Sequence, residues 1–154
     1  MKRILGIDPG YGRVGFGAVE IHRGTIVPLG FGVVTSKGAK FEDRLCQIAD
    51  DMRALLKEFK PDVMAIEKLF FKYNATTGMK VAEARGVILL CAAQAGVRVV
   101  ELAPAQVKKG LTGDGKADKR GMQMMVKTLL CLPRAPRPDD AADALAIAIV
   151  GGGM

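Results

Sequence analysis

The hydrophobic period of this chain changes at residue 41. Before it, residues 3–8, 14–21 and 25–35 are rich in Val, Ile, Phe and Gly and read as three extended stretches. Turn residues separate them, Pro9-Gly10 after the first and His22-Arg23-Gly24 after the second. From Phe41 onward, Phe41, Leu45, Ile48, Met52, Leu55, Leu56 and Phe59 recur at helical spacing. Pro61-Asp62 stops that helix, and Val63-Met64-Ala65-Ile66 is a continuous apolar run, as in a strand covered on both faces. An Ala-rich helix from about Asn74 to Ala95, a strand at 97–102 and a short helix after Pro104 follow. Then come a glycine-rich loop from Gly110 to Gly115, a basic helix from about Lys116 to Leu130, a proline-punctuated linker at 133–138 and a last helix over about 139–150. This order predicts an α/β layered sheet, mixed rather than wholly parallel. One domain over residues 1–150 is expected, with 151–154 a flexible tail, because Gly151-Gly152-Gly153-Met154 offers little to pack.

Composition narrows the partners. Lys and Arg number 23 against 16 Asp and Glu, a net charge of +7 that favours a polyanion, since each cation set on a phosphate releases counterions. A hydrophobic share of 49% argues against disorder. Asp8 interrupts the only apolar stretch that could open a signal peptide, and no apolar run is long enough to span a membrane. Cys46, Cys91 and Cys131 are odd in number and far apart, so they read as buried thiols in a reducing compartment rather than disulfides or zinc ligands. The chain is therefore expected in the cytoplasm. His22 is the only histidine, which argues against a Ser-His-Asp triad.

Two glycine motifs are discounted. Gly10-Tyr11-Gly12-Arg13-Val14-Gly15 matches a dinucleotide-binding pattern, but the helix whose N-terminus would carry the pyrophosphate is replaced by strand-like Val-Gly-Phe-Gly-Ala-Val-Glu-Ile. Gly110-Leu-Thr-Gly-Asp-Gly-Lys116-Ala117 nearly matches a P-loop but ends in Ala117, without the metal-binding hydroxyl, and follows a helix rather than a strand.

The carboxylates carry more. Asp8 falls where the first strand ends and Glu67 where the buried strand ends, the edge at which ligands collect in open α/β sheets. A Glu directly after Val-Met-Ala-Ile is costly to bury unless it is paired, protonated or bound to metal. Pro138-Asp139-Asp140-Ala141-Ala142-Asp143 opens the last helix, and there Asp140 and Asp143 lie about 60° apart and Asp139 and Asp143 about 40° apart. Either pair can converge on one point, and Asp139 or Asp140 can instead cap the helix. Asp143 is too far in to cap. Four converging carboxylates repel, and two divalent ions neutralise them. Hard oxygen donors with no Cys or His favour Mg²⁺, or Mn²⁺ in its place, and two such ions suit in-line phosphodiester hydrolysis.

On these residues the chain resembles the RuvC family of Holliday junction resolvases, crossover junction endodeoxyribonucleases with a ribonuclease H-like fold. The resemblance runs from Ile4-Leu-Gly-Ile-Asp8-Pro-Gly10 through Ala65-Ile-Glu67 and Ala84-Arg-Gly86 to Ala141-Ala-Asp-Ala-Leu-Ala-Ile-Ala148. It implies a five-stranded mixed sheet flanked by helices and a homodimer with two active sites. It also implies Mg²⁺-dependent paired symmetric nicks across four-way junction DNA in recombination and repair, with branch-migration proteins of the RuvA and RuvB type as partners. The catalytic, metal-binding acids are then Asp8, Glu67, Asp140 and Asp143. Asp139 departs from the family's pattern, which usually has no acid at that position. Phe70 corresponds to an aromatic that stacks on a base at the opened junction, and Lys108 and Lys119 to cations on backbone phosphates. Lys116, Arg120 and Lys109 stand close enough in sequence to assist, positioning DNA without reading its bases.

Three rival readings remain open to the sequence. Actin-like ATPases share the core and a glycine-rich turn but clamp a nucleotide between two such domains. A junction-binding protein without cleavage would not need all four acids. A related ribonuclease H-like resolvase-like nuclease could act on RNA.

Overall fold

In the computed structural model, which describes residues 1–69 and 75–154, five strands form one sheet in the order β3-β2-β1-β4-β5. The strands are β1 (Lys2–Asp8), β2 (Arg13–His22), β3 (Thr25–Thr35), β4 (Val63–Glu67) and β5 (Arg98–Leu102). β1, β2 and β3 run antiparallel as successive hairpins, whereas β4 lies parallel to β1, and β5 parallel to β4. The sheet is thus five-stranded and mixed, as expected. The helices are α1 (Phe41–Phe59), α2 (Ala75–Gln94), α3 (Pro104–Thr112), α4 (Lys119–Leu129) and α5 (Asp139–Gly151).

Alternation along the strands builds two core layers, since successive side chains point to opposite faces. Leu5, Ile7, Met64 and Ile66 face α1 and α2, where they meet Ile48, Met52, Ala84 and Ile88. Ile4, Val63, Ala65 and Leu102 face the other helices, where they meet Val107, Val126, Leu145 and Ile147. With both faces covered, every residue of Val63–Ile66 is buried, which is why that run shows no polar alternation.

Glycines set how closely α5 approaches. A Cβ at Gly6 would overlap the Ala144 carbonyl and stand 2.6 Å from the Ala148 nitrogen, and one at Gly15 would overlap the Asp140 carbonyl. The helix backbone therefore rests directly on β1 and β2, and its first turn is carried to the C-terminal edge of β1.

Four expectations need correction. α3 runs on to Thr112, so half of the expected 110–115 loop is helical, and Gly113 ends it in the left-handed conformation at φ 84°. The basic helix starts at Lys119 rather than near Lys116, because the Asp118 carboxylate accepts the Gly121 N–H and so caps the helix there. The expected tail begins inside α5: Gly151 is buried against Ala65 and Leu102, and Lys2 Nζ donates to the Gly152 carbonyl at 3.3 Å. Residues without side chains pack here because the sheet comes close enough to fill the space. Of the cysteines, Cys91 is buried as expected, while Cys46 and Cys131 are exposed, and all three are free thiols.

Candidate active site

The carboxylates meet where β1 and β4 end side by side. The parallel register pairs Ile7 with Ile66, so Asp8 and Glu67 follow as neighbours on adjacent strands. The first two turns of α5 bring Asp140 and Asp143 above them, and ligand oxygens of Asp8, Asp140 and Asp143 all lie within 4.8 Å of one another. Asp8, Glu67 and Asp143 line a cleft of about 520 Å³ together with Lys108, Lys119, Lys68 and Leu69. Glu67 is near enough to act electrostatically on Asp8.

Such a cluster is expensive in its charged form. Burial, then the charges of Asp143, Glu67 and Asp140, push the Asp8 carboxyl up from 3.8 to about 8, against a smaller lowering by Lys119. Burial also raises Asp143; Lys119 opposes that shift, and Asp140 and Asp139 add to it. Carboxylates that strain towards protonation at neutral pH are a donor set suited to a hard divalent cation, which favours the charged form of all of them.

The two neighbouring aspartates of α5 have separate environments. Asp140 joins the cluster and is held from outside by Arg13, whose Nε lies 3.0 Å from its carboxylate. Asp139 turns to α4, where Lys119 Nζ lies 3.2 Å away and Gln123 Nε2 donates at 3.1 Å. The Asp139 hydrogen bond, with the charges of Asp143, Asp139 and Asp140, raises Lys119 above the usual lysine range. Lys119 therefore stays charged beside the acids at any physiological pH.

The other basic residues are spread along the rim. Lys108 on α3 lines the acid-bearing cleft. Lys116 lies next to it, in a shallower depression formed with Asp114, Asp118 and Gly121. Arg120 and Lys109 are exposed and do not line the cleft. Phe70, the expected base-stacking aromatic, lies outside the described residues. Reading the sequence missed two arginines: Arg13, which pairs with Asp140, and Arg85 on α2, whose Nε donates to the Glu67 carbonyl at 3.2 Å. Arg13 stood inside the discounted glycine motif, and Arg85 inside the Ala84-Arg-Gly86 segment, where neither showed a partner.

The sequence and the fold are shared with known proteins. The family model for crossover junction endodeoxyribonuclease RuvC matches residues 4–151. The RuvC of Gloeobacter violaceus is 52% identical over 151 residues, covering 97% of this chain and 87% of the relative. That of Brevibacillus brevis is 50% identical over 148 residues, 96% of this chain and 89% of the relative. Thermus thermophilus RuvC, solved in complex with Holliday junction substrate, superposes with a TM-score of 0.93 at 35% identity, covering 99% of this chain and 93% of that one.

Proposed function

Because the chain belongs to the RuvC family of crossover junction endodeoxyribonucleases, we propose that it resolves four-way DNA junctions by paired symmetric nicks, with Asp8, Glu67, Asp140 and Asp143 as its catalytic, metal-binding acids. It is a hydrolase of recombination and repair, and its fold is ribonuclease H-like. The observation that carries the residue assignment is the convergence of Asp8, Asp140 and Asp143 within 4.8 Å beside Glu67, in a cleft rimmed by lysines.

The carboxylates are a fit for Mg²⁺, with Mn²⁺ as a substitute, and four negative charges match two divalent ions per site. Ions of this kind supply a water-derived nucleophile at neutral pH and stabilise the leaving oxygen. The chain's own groups do the rest. Asp8 and Glu67, on rigid strand ends, fix the floor of the cleft, and Asp140 and Asp143 close it from α5. Lys119 and Lys108 hold backbone phosphates so that the scissile bond lies over the acids, and Lys116 and Arg120 extend that track. Phe70 follows directly on Lys68 and Leu69, which line the cleft, and takes the base-stacking role that separates strands at the junction centre.

Two symmetric nicks require two sites related by a two-fold axis, hence a homodimer. The outward face of α2 supports that: Met79 is 59% and Leu90 52% exposed, with open space over Gly86 between them. Branch-migration proteins of the RuvA and RuvB type are the partners that deliver the junction. No helix among the described residues is long and apolar enough to cross a membrane, and we place the protein in the cytoplasm.

The test is incubation with a synthetic four-way junction labelled in one strand, beside a linear duplex of the same sequence. The expected result is symmetric nicking of the junction alone, in Mg²⁺ and not in chelator. Equal cutting of the duplex would overturn junction selectivity.

A further inference from the structure

Arg85 is a cation in an unusual place. Its side chain is only 13% exposed, rising from α2 beneath the ends of β4 and β5. Nε donates to the Glu67 backbone carbonyl at 3.2 Å, and Nη2 lies 3.1 Å from a Glu101 carboxylate oxygen on β5. That second approach is an ion-pair distance without hydrogen-bond alignment, so Nη2 has no hydrogen-bond acceptor among the described residues. A buried guanidinium with incomplete hydrogen bonding is costly, and side chains kept at such cost are generally kept for a local task.

The task is visible in the sheet. At Glu67 the neighbouring chains run short of donors. Beyond Asp8 on β1 stands Pro9, which has no N–H, and beyond Leu102 on β5 the Ala103 N–H is committed to Gln106 Oε1 at 2.7 Å, capping α3. The Lys68 N–H still reaches the Leu102 carbonyl at 2.8 Å, but the Glu67 carbonyl takes its donor from Arg85. The strand end that aims a site carboxylate is thus fastened from below by Arg85, which is itself countered by Glu101.

We propose that Arg85 is a positioning residue of the active site: by bonding the Glu67 carbonyl and ion-pairing with Glu101, it fixes where the Glu67 carboxylate stands in the cleft. It touches neither DNA nor metal. This rests on the reading of the cleft as a divalent-cation site. Because Arg85 belongs to α2, whose opposite face carries Met79 and Leu90, the same contact ties the seating of that helix to the geometry of the acids.

The experiment compares wild type with Arg85→Met, Arg85→Lys and Glu101→Gln in three measurements. These are Mn²⁺ affinity of the metal-free protein by calorimetry, the Mg²⁺ concentration for half-maximal junction cleavage, and Tm. Groups that orient metal ligands from outside typically contribute 10–100-fold in metal affinity. Arg85→Met is therefore expected to weaken Mn²⁺ binding and raise the Mg²⁺ midpoint by about tenfold or more, with the maximal rate recovered within a few-fold at high Mg²⁺. Arg85→Lys, which keeps the charge and N–H donors but not the planar fork, should recover part of the shift, and Glu101→Gln should move in the same direction by less. A lowered Tm in Arg85→Met with Mn²⁺ affinity and Mg²⁺ midpoint at wild-type values would overturn the proposal, since packing alone would then explain the residue. If Arg85→Met fails to fold, the affinity of Glu101→Gln decides, and an unshifted value overturns it. Absence of Mn²⁺ binding in wild type would instead sink the cation-site reading, and this proposal with it.

Discussion

Across the cleft two sets of charges face each other, Asp8, Glu67 and Asp143 from the strand ends and α5, and Lys108 and Lys119 from α3 and α4. The acids sit on elements whose backbones are in direct contact, α5 resting on glycines of β1 and β2, and burial forces Asp8 up to about 8. Of the cations, Lys108 is half-buried and Lys119 stands on the surface, its side chain 58% exposed and its ion pair with Asp139 in solvent. An exposed pair of this kind contributes little to stability, whereas converging carboxylates subtract from it. The acids are held in place by the core against their own repulsion, and the cations are held by very little. The first set is therefore suited to fixed chemistry, and the second to adjustable contact with a flexible polyanion.

The sharpest way to break this contrast is at the acids. Asp8→Asn should lower cleavage by roughly a thousandfold or more, several kcal/mol of transition-state stabilisation, while junction binding in a gel-shift assay stays near wild type. Within α5, Asp140→Asn should reduce the cleavage rate by roughly a hundredfold, whereas Asp139→Asn, whose partners lie on α4, should cost only a few-fold. Equal losses would mean that both aspartates, or neither, belong to the cluster.

The electrostatic cost itself can be read from pH. The unfolded Asp8 carboxyl titrates near 3.8 and the folded one near 8. Between those values the folded protein holds the proton more tightly, so its stability is greatest at the acid end and declines as pH rises through that range, flattening above it. Metal-free protein should lose on the order of a few kcal/mol of stability from this group between about pH 4 and pH 8. Asp8→Asn should lose much less, and so be the more stable protein at pH 8. Thermal denaturation of both across that range checks it; parallel curves would show that Asp8 carries no such burden.

The smallest effect belongs to the cations. Lys119→Ala should weaken junction binding evenly across sequences and reduce the slope of log affinity against log salt by about 1. An unchanged slope would remove Lys119 from the phosphate track.

How far the sequence reached follows the same division. Asp8 and Glu67 were legible because each ends an apolar run, and burial on both sheet faces leaves a period that can be read directly. Asp140 and Asp139 were not separable by helical spacing, since they flank Asp143 at about 60° on one side and about 40° on the other. Lys119 and Gln123, which take up Asp139, come from another helix. The start of α4 was expected about three residues early although its cap, Asp118, is a local signal, because the last glycine, Gly115, marks an apparent loop end before the cap is reached. Arg13 and Arg85 were invisible for a different reason. A charged residue carries no mark of its partner, and theirs are 127 and 18 residues away in sequence, counted from Arg13 to Asp140 and from Arg85 to Glu67.

The proposed task of the four carboxylates on β1, β4 and α5 is to hold divalent ions. Titration of metal-free protein with Mn²⁺, followed by electron paramagnetic resonance, tests it without DNA. Wild type should bind two ions per chain, and Asp8→Asn/Asp143→Asn should leave the added Mn²⁺ free in solution. If the double variant bound Mn²⁺ as wild type does, the ions would be held elsewhere and the account of this cleft would be wrong.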